Sequence, residues 1–190
     1  MSENQESHLV SGRECGECTV CCVALHIEDD GFQKPADQAC SQMVEKGGCK
    51  IYDSRPSVCQ DWHCAWRFME QLGDDWRPDR SGILLRSDEN GIIFQPIRNP
   101  RKVLTTERAI ELIGGGIAQG ISLSMSIPTK KNHRSFSTTL NDNLETAVKS
   151  RNFAVIKSSL LKLIKKAAAE KTDPLTAAEK RVKDDVFLRG

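Results

Sequence analysis

Eight cysteines, Cys15, Cys18, Cys21, Cys22, Cys40, Cys49, Cys59 and Cys64, fall within residues 15–64, and the remaining chain has none. Core cysteines scattered by chance do not gather in this way. The first four read C-x2-C-x2-C-C. A two-residue spacer lets a tight loop aim two sulfurs at one ion, at a Zn–S distance of about 2.3 Å in a tetrahedral site. The same spacing suits iron–sulfur clusters, which also take four thiolates. The array therefore points to soft-metal binding, by zinc or by iron with or without inorganic sulfide, and leaves the metal open. Three other uses of the sulfurs were weighed: a disulfide scaffold, a thioredoxin-like C-x2-C, and buried cysteines with no ligand role.

Chain geometry limits how the sulfurs group. Cys21 and Cys22 are neighbours, so their side chains diverge by about 100° in a helix and point opposite ways in a strand. They can serve two ions, or one of them can line a site without binding. Cys59 and Cys64 lie five positions apart, a separation of roughly 140° on a regular helix. Either a helix starts after Cys59 or the two face different partners. Eight sulfurs satisfy two four-cysteine sites, or one cluster with spare thiols. His26 and His63 lie near cysteines in sequence, and His63, one turn beyond Cys59, is a candidate ligand or a donor to one.

The segment carrying the sulfurs is also the acidic part of the chain. Residues 1–64 hold five Lys/Arg against eleven Asp/Glu, a formal −6, and residues 65–190 hold twenty-two against fifteen, a formal +7. The whole chain is nearly neutral at +1, which gives no general attraction to nucleic acid or anionic lipid. Met1-Ser2-Glu3-Asn4-Gln5-Glu6-Ser7 is polar and acidic, unlike a signal peptide. No stretch approaches the roughly 20 apolar residues that span a bilayer. A cytoplasmic location is expected, where cysteines stay reduced and a dense set reads as metal-binding.

The elements that must position these residues follow from punctuation and periodicity. Residues 1–12 are expected to be disordered. Pro35 opens an expected helix to about Glu45, stopped by Gly47-Gly48. Pro56 opens a second, to about Leu72, with Val58, Trp62, Trp66 and Met69 as its apolar stripe. Ile83-Leu84-Leu85 and Ile92-Ile93-Phe94 flank Asn90-Gly91 and read as a hairpin. A helix from Thr106 to about Ile113 is expected to be interrupted by Gly114-Gly115-Gly116. In residues 121–127 apolar residues alternate with serines, as in a half-buried strand, and Phe136 to Leu140 is expected to return beside it. Asp142 with Glu145 fits a capping box. The helix that follows runs to about Lys171, with a break near Asn152 and Phe153, Ile156, Leu160, Leu163 and Ala167 on one face. The expected fold is α+β: a cysteine-rich metal-binding lobe with short helices at 13–86, a small antiparallel ββαββ sheet with a C-terminal helix at 87–171, and a loose tail at 172–190.

The ordered set Cys15-Gly16-Glu17-Cys18-Thr19-Val20-Cys21-Cys22, Cys40, Gly48-Cys49-Lys50-Ile51-Tyr52, Arg55-Pro56-Ser57-Val58-Cys59 and Trp62-His63-Cys64-Ala65-Trp66 resembles the CxxCxxCC (YkgJ-like) zinc- or iron-chelating family. Arg77-Pro78-Asp79-Arg80-Ser81-Gly82 resembles a downstream element of many of its members. The resemblance covers roughly residues 13–86. It implies a bacterial cytoplasmic metal-binding protein, often described only as Fe–S-oxidoreductase-like, and a similar array occurs in flagellin lysine N-methylases. On this resemblance all eight cysteines are metal ligands.

Other chemistry is poorly represented. Residues 114–120 are glycine-rich without the G-x-G-x-x-G spacing, and no P-loop, H-E-x-x-H, G-x-S-x-G or zinc-deaminase pattern occurs. The expected function is a module holding zinc or an iron–sulfur centre. The alternative is an enzyme using that centre for electron transfer or protein methyl transfer. A protein partner is expected, a membrane is not, and the acidic cysteine segment argues against nucleic acid.

Overall fold

The structure is a computed structural model, and it describes residues 9–29, 32–130 and 133–175. The chain divides into two compact units, residues 1–81 with 175–190, and residues 82–174. The expected boundary at 86/87 would cut through a strand, Ile83–Asp88, whose pairing keeps it in the second unit.

The first unit is made of short pieces. They are helix α1 (Val20–Ala24), antiparallel strands β1 (Ile27–Asp29) and β2 (Phe32–Lys34), and helices α2 (Ser57–Asp61), α3 (Ala65–Phe68) and α4 (Pro78–Ser81). The helix expected at 35–45 does not form. Its backbone groups are engaged elsewhere: the Cys40 N–H donates to the Cys22 carbonyl at 3.1 Å and the Lys50 N–H to the Gln42 carbonyl at 2.9 Å. Asp37 adopts a positive φ of 59°, outside the helical region. The helix expected from Pro56 to Leu72 is broken into α2 and α3, because Trp62 and Cys64 are extended. Arg13 then ties the chain start to the end of α3, donating to the carbonyls of Trp66, Met69 at 2.9 Å and Leu72, with its guanidinium 5.4 Å from the Trp66 ring. Residues 1–8 of the segment expected to be disordered lie outside the described residues, but the Val10 N–H donates to the Arg67 carbonyl at 2.8 Å.

The second unit is a four-stranded sheet with helices. Strands β3 (Ile83–Asp88) and β4 (Gly91–Pro96) form the expected hairpin, with Leu85 opposite Phe94 and Asp88 opposite Gly91. Gly91 has φ +129, and a Cβ there would lie 2.1 Å from the Ser122 carbonyl oxygen, so only glycine fits this turn. Helices α5 (Pro100–Val103) and α6 (Glu107–Ala118) carry the chain to strands β5 (Leu123–Ile127) and β6 (Phe136–Thr139). The order is β3-β4-β5-β6. The sheet is mixed, not antiparallel as expected: β4 and β5 are parallel, since α5 and α6 form the crossover that returns the chain in the same direction.

Gly114, Gly115 and Gly116 do not interrupt α6, which runs through them. A Cβ on Gly116 would meet Leu123 at 2.8 Å, so this glycine lets the helix close on β5. Helix α7 (Asn141–Lys149) has no side-chain cap, so the capping box is absent, and Glu145 instead pairs with Lys149 at 2.6 Å. The expected break at Asn152 is real: its side chain accepts from the Ala154 and Val155 N–H groups and starts helix α8 (Phe153–Ala169). Ile156, Leu160, Leu163 and Ala167 of α8 are buried, whereas Phe153 is 42% exposed. Residues 172–174 are not loose. His133 Nδ1 lies 2.6 Å from the Thr172 carbonyl, and the Arg134 N–H donates to the Asp173 carbonyl at 3.0 Å. The rest of the expected tail, from 176, lies outside the described residues. No described helix is long and apolar enough to cross a membrane.

Candidate metal centre

All eight cysteines lie in the first unit, each half-buried and none in a disulfide. Cys15 and Cys18 flank a turn closed by the Cys18 N–H on the Cys15 carbonyl at 2.9 Å. Cys21 and Cys22 lie on α1, Cys59 on α2, and Cys64 caps α3. Cys40 and Cys49 come from the loop, where Met43 and Cys49 form an isolated bridge. Gly47, two residues before Cys49, has φ +95, and a Cβ on it would lie 2.6 Å from the Glu17 carbonyl oxygen. Glycine here allows the Cys49 loop to close against the Cys15–Cys18 turn.

The thiols interact in two sets. Burial, helped by Cys15 and Cys18 close by, pushes the Cys64 thiol up to about 12. Cys15 and Cys18 also act on Cys21. Burial raises Cys59 as well, but its thiol neighbours are Cys22, Cys40 and Cys49. Electrostatic neighbours thus form a first set, Cys15, Cys18, Cys21 and Cys64, and a second, Cys22, Cys40, Cys49 and Cys59, joined to each other through Cys21 and Cys22. Cys21 and Cys22, adjacent on α1, have different further neighbours. Cys59 and Cys64 likewise part company across the break between α2 and α3. Cys21 and Cys22 touch through a thiol–thiol hydrogen bond that holds Cys21 protonated and lowers Cys22.

The surroundings of the two sets differ. Beside the first stands Asp79. Burial alone would raise its carboxyl, but the Arg77 guanidinium, bonded through two contacts of 2.7 Å, holds it below the usual carboxylate range. Asp79 also hydrogen-bonds Cys18, and Tyr52 hydrogen-bonds Cys15. Beside the second set stand Lys34 and Arg55, both of which lower Cys22. The Gln42 N–H reaches Cys40 Sγ at 3.4 Å, the kind of backbone donor that supports a thiolate.

Among the described residues, no group of three or more His, Cys, Asp or Glu is arranged so that it could hold a metal ion. The donor type nonetheless suits a soft ion: eight unbridged, partly buried sulfurs within one unit. Two buried donors fit as well. Trp66 Nε1 and Arg67 Nε, on the residues following Cys64 and Ala65, have no hydrogen-bond partner among the described residues. A metal-bound thiolate is a far better acceptor for such N–H groups than a neutral thiol.

His26 is exposed. Burial lowers the His63 imidazole, Arg67 and Arg55 lower it further, and Asp61 opposes them. His133 is in the second unit, and His8 lies outside the described residues. Sequence reasoning missed Lys34 and Arg13. A lysine in Phe32-Gln33-Lys34 and an arginine in a polar leader carry no signal that either will be drawn inward. Compared with known protein families, with curated proteins and with solved structures, the chain matches none.

Proposed function

We propose that the first unit is a metal-binding module for zinc or iron, as the motif's resemblance to the CxxCxxCC family implies, and that its eight thiols form two four-thiolate sites. One observation carries this reading. The described part of residues 1–81 buries only Ala24, Ala65, Trp66, Leu72 and Trp76 as an apolar core, yet it contains eight unbridged thiols. A unit of this size with so small a core needs cross-links, and with the sulfurs reduced the cross-link that remains is a metal. Deprotonation on metal binding would also supply acceptors for the buried donors beside Cys64.

Bound zinc would act as a four-way tether, and bound iron–sulfur would add electron transfer; the chain's own residues hold the thiolates and shield them. The test is elemental analysis of the full chain purified without air or chelator. Two zinc ions per chain, or iron with acid-labile sulfide, is the expected result. A chain folded in its first unit yet free of stoichiometric transition metal would end this reading.

A further inference from the structure

The second unit carries a groove of about 670 Å³, half open to solvent, unlike the enclosed pockets that bury a small molecule. One wall is α6, where Glu111, Gly114, Gly115 and Ala118 share one helix face. The other wall is the end of α7 and the start of α8, with Lys149, Arg151 and Phe153. Glycine inside a helix is unfavourable relative to alanine. Gly116 has a reason within the fold, its close approach to Leu123, but a Cβ on Gly114 or Gly115 would meet nothing within 4 Å. The hollow over these two glycines is therefore not filled by the chain's own Phe153, which stands on the opposite wall and is 42% exposed.

Exposed apolar side chains gather at this groove. Among the described residues the large ones are Ile121, Phe153 and Val155, and each lines the groove or adjoins a residue that does. An apolar patch with a charged rim marks a surface that another molecule covers. Here the two walls complement each other. The α6 wall offers a hollow and an acid, Glu111. The α8 wall offers a projecting aromatic ring and a base, Arg151. Glu145 and Lys149 already bond each other at 2.6 Å, whereas Glu111 and Arg151 make no ion pair with another described residue. A two-fold axis laid along the groove turns each wall onto the opposite wall of a second copy. Glu111 then faces Arg151, the glycine hollow faces Phe153, and each contact is made twice. A different partner would have to supply a knob and both charges. A second copy already has them.

We propose that this groove is a self-association surface, through which two copies of the chain form a two-fold dimer. Phe153 of each copy fills the Gly114–Gly115 hollow of the other, and the Glu111–Arg151 pairs fix the register. The bland alternative is a surface hollow left by small residues, with no occupant.

The experiment is sedimentation equilibrium of the full chain over a concentration series, without air and with a thiol reductant so that no disulfide links the copies. A reversible monomer–dimer equilibrium is expected. Phe153→Ser removes the knob and Gly115→Leu fills the hollow, and each should weaken the dimer by about tenfold or more. Both spare the fold, because Phe153 is exposed and Gly115 has open space for a side chain. Glu111→Arg or Arg151→Glu alone sets like charges opposite each other and should also weaken the dimer. The two together in one chain reverse the pair and should restore it. The proposal is overturned if the chain stays monomeric up to about 1 mM, whatever else the groove then takes, residues 176–190 of this chain or a different protein. It is equally overturned if a dimer forms but is indifferent to Phe153→Ser or Gly115→Leu, or if the double charge variant is as weak as either single one.

Discussion

The two units reach order by different routes. Among the described residues of the second, nineteen apolar residues are buried, among them Phe94, Leu104, Ile113, Met125, Ile127, Leu144 and Leu160, and a four-stranded sheet satisfies the backbone. Among the described residues of the first, five are buried, and the backbone is held by turns, a three-residue strand pair and cations placed on carbonyls. One unit is closed by a hydrophobic core. The other is arranged around sulfurs. On the proposed function, metal ligands take over in the first unit the cross-linking that an apolar core supplies in the second.

The largest effect should come from removing metal. Stripping the full chain with a strong chelator without air should unfold the first unit, at a cost on the order of 10 kcal/mol per structural zinc, and leave the second folded. Hydrogen exchange would register this as lost protection within 9–81 and retained protection in β3–β6. Equal loss in both units would abolish the contrast. Next, Phe94→Ala should lower the stability of the second unit by about 3–5 kcal/mol, as for a large buried aromatic, with metal content unchanged. Thermal denaturation with parallel elemental analysis checks both halves of that statement.

Smaller changes sharpen the comparison. Asn152→Ala removes the side chain that caps α8 and should cost about 1 kcal/mol in the second unit only, read by urea denaturation. Gly114→Ala should stabilise by about 1 kcal/mol, since this mid-helix glycine has open space where a Cβ would go. A loss of stability in Gly114→Ala would show that the exposed glycine face of α6 has a role outside folding.

Much of the second unit was legible in the sequence because its signals are local. The Asn90-Gly91 turn, the alternation in residues 121–127 and the helix break near Asn152 each act within a few residues, whereas the capping box expected at Asp142 and Glu145 did not form. The parallel pairing of β4 with β5 was not legible, since it depends on how the crossover through α5 and α6 returns the chain. Glycines 114–116 misled because propensity is a weak force beside the packing of α6 on β5. In the first unit the failures concentrate around the sulfurs. The helices expected at 35–45 and 56–72 are absent or broken where Cys40, Cys59 and Cys64 must reach partners far away in sequence.

By itself, the sequence determined which atoms are available for chemistry: eight sulfurs and their C-x2-C-x2-C-C order. Only the tertiary structure decided which sulfurs are neighbours, that Cys64 lies near Cys15 and Cys18 while Cys59 lies near Cys22, Cys40 and Cys49, and that Lys34 is buried close to Cys40 and Cys22. Ligand type is a property of single residues, but grouping and charge environment arise from contacts between segments distant along the chain, which no local spacing encodes.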